Sequence, residues 1–483
     1  MNAFTLLLVP SLASALLALL VRPYRRVVGW VNGVLSLVAV GGAIDLWARV
    51  LSGEVPVAGD LLRADALSAL LALCVSGVAA LAAWLGPGVG ADDDYDPAQA
   101  RTFRIFANLF AATMLFAVTT DNVGFMWVAV EATTITSAML IPLHASRASV
   151  EASWKYILIG SVGIALAFAG TVIAYFDFVS LAGRDRLALN WTVLRDAAPA
   201  LNPQVMQLAF VFILVGYGTK AGLAPMHTWL PDAHSEAPAA LSAMMSGVLL
   251  AVAMYAVVRW QAVAQVTIGP GFAEDFIVLL GLLSLAIGAL SLWSQRNYKR
   301  LLAYSSIEHT GLICIGLALG PLGVFAAMLH LLNHSVAKSM MFLLAGRVLH
   351  RYRTAEIGGV SGLLRVMPWT GGLFAAGMLA VIGLPPFGMF VSEFALVRAG
   401  FAAGRPVVIG LVLALLAIGF VGVIAHLNRM LYGPVPTGVA VGEGSGWALV
   451  PLACCAVFLM VLGLTVPAPI DGLLVRIAEI VAP

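Results

Sequence analysis

Apolar runs of about 17 to 25 residues, the length a helix needs to cross the hydrocarbon core of a bilayer, recur along the whole chain and are separated by short polar segments. About fourteen such runs can be marked, near 3–21, 28–48, 64–85, 104–120, 122–143, 153–178, 205–222, 239–260, 276–294, 302–319, 322–346, 367–401, 405–426 and 446–465. The pattern predicts an all-α integral membrane fold of about fourteen transmembrane helices. Two runs are interrupted. The seventh ends at Lys220 and meets Gly222, Pro225, Pro231 and Pro238, while the twelfth is divided by Gly383-Leu384-Pro385-Pro386-Phe387 and then carries Glu393. Proline removes a backbone donor and clashes with the preceding turn, so Pro225, Pro231, Pro385 and Pro386 are expected as helix breaks. At membrane depth such breaks expose backbone carbonyls and amides to an ion.

The two interrupted runs, the seventh and the twelfth, are an odd number of runs apart, so their chains should cross the membrane in opposite directions. Runs four to eight and nine to thirteen then read as two inverted five-helix repeats, at 104–260 and 276–426. A three-helix segment at 1–103 precedes them, and a last span with a short tail at 446–483 follows. This repeat rests on topology, without residue-level identity between the halves.

Composition agrees with a membrane setting. Of 483 residues, 61% are hydrophobic and 10% charged, and the mean hydropathy is +0.99, against roughly a quarter charged in soluble domains. The net charge of +2, spread over short loops, argues against a nucleic-acid partner. Cys74, Cys314, Cys454 and Cys455 lack CxxC spacing and are expected as small core residues rather than a redox pair or metal cluster. The first run has no basic segment ahead of it and is followed by Arg22, Arg25 and Arg26, so it is expected as a retained span, not a cleaved signal. One set of loops carries those three arginines with Arg101, Arg104, Arg147, Lys155, Arg296, Lys299, Arg300, Arg347, Arg351, Arg353, Arg365 and Arg429; the other set carries fewer basic residues. The richer side is expected to be cytoplasmic, which puts both termini outside. Asp92, Asp93, Asp94 and Asp96 form an acidic run in a cytoplasmic loop and are expected as a solvated face, with contact to a partner subunit as the other reading.

The chemistry lies in the ionisable residues within these runs. An ammonium as deep as Lys220 is costly, so it is expected to face a polar cavity or a partner charge and to mark an ion or proton path. Glu131, midway along the fifth run, has the converse problem. If the two approach, each keeps the other charged and their separation is a usable proton switch; the alternative is a static pair that fixes helix packing. In the eleventh run His330, His334 and Lys338 are spaced by four, within an arc of roughly 80 degrees over about 12 Å of rise, and Asn333 widens the stripe. Two histidines and a lysine in register at membrane depth read as a proton relay; metal binding by the two histidines is the alternative, opposed by the lysine's charge. Glu308 and His309 in the tenth run and Glu393 complete the inventory. For Asp232, His234 and Glu236, just after the first break, hydrogen bonding to freed backbone and ion transfer are equal readings.

The stretch from Lys220 through HTWLPDAHSEAP (His227 to Pro238) resembles the antiporter-like membrane subunits of respiratory complex I, the Mrp cation/proton antiporters and the membrane-bound group 4 hydrogenases. Within that superfamily KRLLAYSSIEHTGLI (Lys299 to Ile313), LLNHSVAKSMMF (Leu331 to Phe342) and LPPFGMFVSEF (Leu384 to Phe394) are similar to the hydrogenase-4 component F type. The resemblance implies fourteen transmembrane helices, inverted repeats, and proton translocation driven by a neighbouring electron-transfer module in a bacterial or archaeal cell membrane. It implies a non-catalytic transport subunit of an oxidoreductase complex, of hydrogenase or NADH:quinone oxidoreductase type. Glu131 matches the family's fifth-helix glutamate, Lys220 its broken-helix lysine, Lys338 with His334 its second-half lysine, and Glu393 its twelfth-helix acid. One departure is clear: where complex I pumping subunits generally carry an eighth-helix lysine, this chain has Leu249-Leu250-Ala251. Water, His234 or His309 would then have to bridge the halves. The short tail from Val466 lacks the long lateral helix of the largest complex I relative.

The expected mechanism puts Glu131 and Lys220 nearer proton uptake and Lys338 and Glu393 nearer release, with His234, Glu308, His309, His330 and His334 as relay groups. The sequence holds no flavin, haem, iron–sulfur or nickel ligand set, so iron–sulfur, nickel–iron or flavin centres are expected only in partner subunits: other antiporter-like membrane subunits and a peripheral electron-transfer module. An Mrp-type sodium/proton antiporter subunit, an energiser of bicarbonate uptake, a structural anchor and a quinone-binding subunit are the other readings.

Overall fold

The computed structural model describes residues 2–90, 94–183, 187–269 and 271–482. Asp92 and Asp93 of the acidic run, and Arg184 and Arg186 of the segment between the sixth and seventh runs, lie outside the described residues. The chain begins with α1 (Ala3–Leu20), α2 (Arg26–Leu51), a hairpin of β1 (Val57–Ala58) and β2 (Leu62–Arg63), and α3 (Ala66–Leu85). There follow α4 (Pro97–Thr119), α5 (Val123–Ala138), α6 (Arg147–Ala182), the short α7 (Trp191–Ala197), α8 (Pro203–Lys220), α9 (Trp229–Glu236), α10 (Ala239–Met244) and α11 (Leu250–Ile268). The remainder is α12 (Phe272–Leu292), α13 (Tyr298–Leu317), α14 (Gly320–Tyr352), the one-turn α15 (Leu363–Val366), α16 (Pro368–Val381), α17 (Gly388–Ala402), α18 (Pro406–Leu431), α19 (Leu449–Leu464) and α20 (Ala468–Val481). Among the described residues nine helices are long and apolar enough to cross a membrane, so the protein is a multi-pass membrane protein.

Polar residues between the apolar runs start the helices. Asp96 and Gln99 form a reciprocal capping box ahead of Pro97 in α4, Ser146 and Ser149 do the same for α6, and the Asn202 side chain accepts the Gln204 and Val205 amides in α8. Each satisfies first-turn donors that the helix itself leaves open. Both described acids of the acidic run, Asp94 and Asp96, are exposed as expected, and each also has a partner in the chain. Asp96 is a cap, and Asp94 pairs with His350 Nδ1 at 2.7 Å and Arg353 Nη1 at 2.8 Å. Partial desolvation raises the Asp94 carboxyl, but the hydrogen bonds and charges of His350 and Arg353 outweigh it and leave it below its ordinary value.

The centre of the fold is the run of α10, a π-helical turn at Met245–Leu249, and α11, in which every residue from Ala240 to Ala264 is buried. α14 passes so close to the π turn that a Cβ on Gly247 would stand 2.2 Å from Ser339 Oγ; a side chain there would push the helices apart. α13 and α14 form an antiparallel pair, α14 packs on α16 and α17, and α6 packs along α8 and α9. The tail after Val466 differs from expectation: it forms α20, bent 71° from α19, and returns to the body, where Arg476 donates to the Val50 and Leu51 carbonyls at the end of α2.

The end of the molecule that carries the hairpin is tied by a buried ion pair. Asp65, the N-cap of α3, accepts the Ser68 amide at 3.1 Å and both terminal nitrogens of Arg259 in α11 at 2.5 and 2.7 Å. The guanidinium lies 4.4 Å from the centre of the Trp191 ring, and Trp191 Nε1 donates to the Arg259 carbonyl at 2.7 Å. Removing one partner of such a pair leaves the other charge uncompensated. Asp65→Ala is therefore expected to cost about 3–5 kcal/mol of stability, and Asp65→Ala with Arg259→Met to regain most of it, read as the thermal unfolding midpoint in detergent.

Candidate functional site

α8 ends at Lys220, and the chain turns through Gly222, at φ +75°, before Pro225 and α9. An L side chain adopts that backbone conformation only with strain. The break is internally satisfied: the Ala224 amide donates to Ser284 Oγ at 2.9 Å, and Trp229 Nε1 donates to the Thr219 carbonyl at 2.9 Å. Pro231 is not a break. It sits in the first turn of α9, where a missing N–H costs no intrahelical bond. The second break runs from Ile382 to Phe387, through Gly383 at φ +68° and the Pro385-Pro386 pair, and places Glu393 in the second turn of α17.

Lys220 is fully buried, and its Nζ donates to Thr134 Oγ1 and to Tyr156 OH, both at 2.7 Å. Thr134 Oγ1 in turn donates to Glu131 Oε2 at 3.2 Å, and Ser161 Oγ donates to Glu131 Oε1 at 2.8 Å. The expected direct pairing of Glu131 and Lys220 is thus replaced by a link through one hydroxyl. Thr134 has one proton and gives it to the carboxylate, so the order of donation runs from Lys220 to Thr134 to Glu131. Ser137 Oγ spends its proton on the Thr133 carbonyl at 2.6 Å and so accepts from Tyr156 OH at 2.8 Å. Glu131 itself is half-buried, on an α5 face where Phe125, Val128 and Ile135 are 48%, 50% and 61% exposed.

A second polar row lies between α13 and α14. Lys338 Nζ donates to Ser305 Oγ and to the Leu302 carbonyl, the latter at 3.0 Å. One turn away the His334 and His309 rings stand 5.5 Å apart, and His309 Nδ1 lies 3.1 Å from His330 Nε2. His330 Nδ1 lies 2.9 Å from Ser392 Oγ, and that hydroxyl gives its proton to the Met389 carbonyl at 2.8 Å. His330 therefore carries its proton on Nδ1 and accepts on Nε2 from His309. A carboxylate oxygen of Glu393 and one nitrogen each of His309 and His330 lie within 4.8 Å of one another. His309 Nε2, His334 Nε2 and Glu393 Oε1 are buried with no hydrogen-bond partner.

The structure therefore brings Lys338, His334, His309, His330 and Glu393 into one row and Glu131 and Lys220 into another. Glu308 lies beside this row, near enough for its charge to act on both Lys338 and Glu393, with its carboxyl packed toward α18, where a Cβ on Gly419 would approach its Oε1 to 2.5 Å. His234, in α9, is fully buried with neither ring nitrogen hydrogen-bonded, and its ring stacks on Phe342 at 4.8 Å. Phe342 stands four residues beyond Lys338, so it extends the α14 stripe by one turn, and the first broken helix meets the second row there. Lys299 Nζ holds the end of α9 by donating to the Ser235 and Ala237 carbonyls at 2.8 and 2.7 Å. Asp232 pairs with Arg300 and, at 3.2 Å, with Lys155. Thr134, Tyr156, Ser137, Ser161, Ser305 and Ser392 are the groups that sequence reasoning missed. Hydroxyls are common in membrane helices, and only Ser392, beside Glu393, and Ser305, four before His309, stood in a telling position.

Amines and imidazoles linked through hydroxyls with one proton each can give, accept and pass on a proton. Residues 120–419 match the family described as NADH:quinone oxidoreductase/Mrp antiporter, transmembrane. The chain is 34% identical over 432 residues to the hydrogenase-4 component F homolog of Methylacidiphilum infernorum, covering 88% of each protein. It is 31% identical over 484 residues to NADH-quinone oxidoreductase subunit N of Desulforudis audaxviator, covering 94% of this chain and 93% of that one. It also resembles a chain of the archaeal membrane-bound sulfane sulfur reductase complex, with a TM-score of 0.89, 25% identity, and coverage of 99% and 97%.

The Thr134 link can be probed without reference to activity. Thr134→Val keeps the shape of the side chain but deprives Lys220 of one of its two hydrogen bonds, an expected loss of about 1–3 kcal/mol in the thermal unfolding of the purified protein. Tyr156→Phe should cost a similar amount, and the two together less than their sum if both serve the same ammonium.

Proposed function

This chain belongs to the NADH:quinone oxidoreductase/Mrp antiporter family of membrane proteins, and on that premise we propose that it is the proton-translocating, antiporter-like subunit of a multisubunit redox complex, related to group 4 hydrogenases or complex I. The observation that carries this reading is the pair of fully buried lysines, Lys220 and Lys338, each hydrogen-bonded to a hydroxyl and each near the charge of one carboxylate, Glu131 for the first and Glu308 for the second. A static fold gains little from two ammonium groups in its interior; a proton path needs them.

In this mechanism a movement at a partner interface displaces Glu131, the Thr134 hydroxyl loses its carboxylate acceptor, and Lys220 gives up its proton toward the second row. Glu131 suits that role, since it stands half-buried on an otherwise apolar and exposed face that another membrane subunit would cover. Carrying one charge against 100 mV requires about 2.3 kcal/mol, and a hundredfold change in the proton affinity of a lysine supplies about 2.7 kcal/mol. Lys338, the histidines and Glu393 pass the proton on to the opposite side, while electrons move through iron–sulfur, nickel–iron or flavin groups in partner subunits. The proposal includes about fourteen crossings, inverted repeats at runs four to eight and nine to thirteen, and both termini outside. Supporting it, loops assigned to one side touch each other: Asp94 reaches His350, Lys155 reaches Asp232, and on the opposite side Arg405 reaches Asp275.

The test is proton uptake into vesicles containing the assembled complex, with and without sodium. Lys220→Ala and Lys338→Ala are each expected to lower sodium-independent uptake by about 100-fold. Normal uptake in both variants would overturn the reading, and uptake that requires sodium would favour the Mrp-type alternative.

A further inference from the structure

We propose that His309, His330 and Glu393 form a binding site for a divalent transition metal ion of the zinc class, and that the bound ion blocks proton transfer along the α14 row. Three helices supply the donors: His309 from α13, His330 from α14 and Glu393 from α17. Their ligating atoms lie within 4.8 Å of one another. Zinc bonds of about 2.0–2.2 Å to nitrogen and oxygen put neighbouring ligand atoms about 3.3–3.5 Å apart in a tetrahedral site. The 3.1 Å between His309 Nδ1 and His330 Nε2 is close to that edge, and rotation of the Glu393 carboxyl brings in the third donor. Two imidazoles with one carboxylate favour zinc or copper over magnesium or calcium, which take oxygen ligands.

The surrounding groups fit a ligand set. Metal-bound histidines donate their other N–H to an outer oxygen, and His330 Nδ1 already does so to Ser392 Oγ at 2.9 Å. His309 can free Nδ1 by moving its proton to Nε2, which has no hydrogen-bond partner and has the Val381 carbonyl beside the ring. Neither ring then loses a proton when the ion binds. Glu393 Oε1 is likewise buried without a partner, so the carboxylate brings one ligand atom that no hydrogen bond occupies. Lys338, whose charge opposes a cation, stands eight residues from His330, about 12 Å along the helix axis, and its amine is turned toward Ser305 and the Leu302 carbonyl. Glu393 itself is half-buried.

Once bound, the ion occupies the lone pairs through which His309, His330 and Glu393 exchange protons, and it ties the broken helix α17 to the α13–α14 pair. The inhibitory consequence rests on the proton-translocation reading; metal binding does not, so the two are read separately. Zinc chloride is titrated by calorimetry into the purified complex, and the zinc edge is examined by X-ray absorption. The expected result is one zinc per chain with two imidazole ligands, bound at least about 10-fold more weakly in His330→Gln and in Glu393→Gln and unchanged in His350→Gln, which removes the surface Asp94–His350 pair. Equal thermal unfolding midpoints of the variants show that the fold is kept. Unchanged affinity in both His330→Gln and Glu393→Gln, or loss in His350→Gln alone, would overturn the site. In vesicles, zinc should slow proton uptake in the wild-type complex and a chelator should restore it; binding without slowing would overturn the blocking role and leave the site standing.

Discussion

A charged amine cannot be left unpartnered in an apolar interior, and the structure is arranged around two that are buried there. Lys220 and Lys338 have no exposed surface. Neither is neutralised by a directly bonded carboxylate. Each is held instead by oxygens that accept without carrying full charge: Thr134 and Tyr156 for the first, Ser305 and the Leu302 carbonyl for the second. A direct ion pair would fix the proton on the amine. A hydroxyl relay holds the position of the amine and leaves its charge sensitive to where the distant carboxylate lies, which is what a switch requires.

The breaks in the helices follow from the same constraint. A continuous helix satisfies its own backbone and offers nothing to an ion. Interrupting α8 after Lys220 and α16 before Glu393 places helix ends at the level of the polar rows. The ends are then satisfied by side chains from other helices: Ser284 on the Ala224 amide, Trp229 on the Thr219 carbonyl, and Lys299 on the carbonyls that end α9. Those tethers tie the first broken segment to α12 and α13, which belong to the second half of the chain, so the halves are joined through the irregular segments themselves.

Much of this was legible in the sequence, for reasons that also mark where reading stopped. Run length gives helices because the bilayer sets it, and each apolar run lies on helix. The four-residue spacing of His330, His334 and Lys338 gives a shared face because helical geometry fixes it. What spacing along one helix cannot give is the identity of the neighbour. Thr134 as the link between Glu131 and Lys220, Ser305 beneath Lys338, and Glu308 turned toward α18 all depend on how helices are rotated against each other. Pro231 misled for a local reason: a proline in the first turn of a helix looks like a proline that ends one. The α20 helix was missed because its apolar positions are spaced for one buried face rather than massed in a run long enough to span.

The departure at Ala251 is best understood from the packing around it. The π turn at Met245–Leu249 brings α10 against α14 so closely that only glycine fits at 247, and Ser246 and Ser306 meet at 2.8 Å beside it. Ala251 is buried, in a segment where every residue is buried, so a lysine stem there would need its neighbours to move. The proposed connection between the halves lies one layer away, where His234 stacks on Phe342 at the end of the stripe that carries Lys338. A histidine there serves a junction better than a lysine would. It is fully buried and can remain neutral, it can give or accept a proton at either nitrogen, and it sits on the broken segment whose far end is Lys220. With no charge at position 251, His234, packed on Phe342 one turn beyond Lys338, is the group proposed to link the two polar rows.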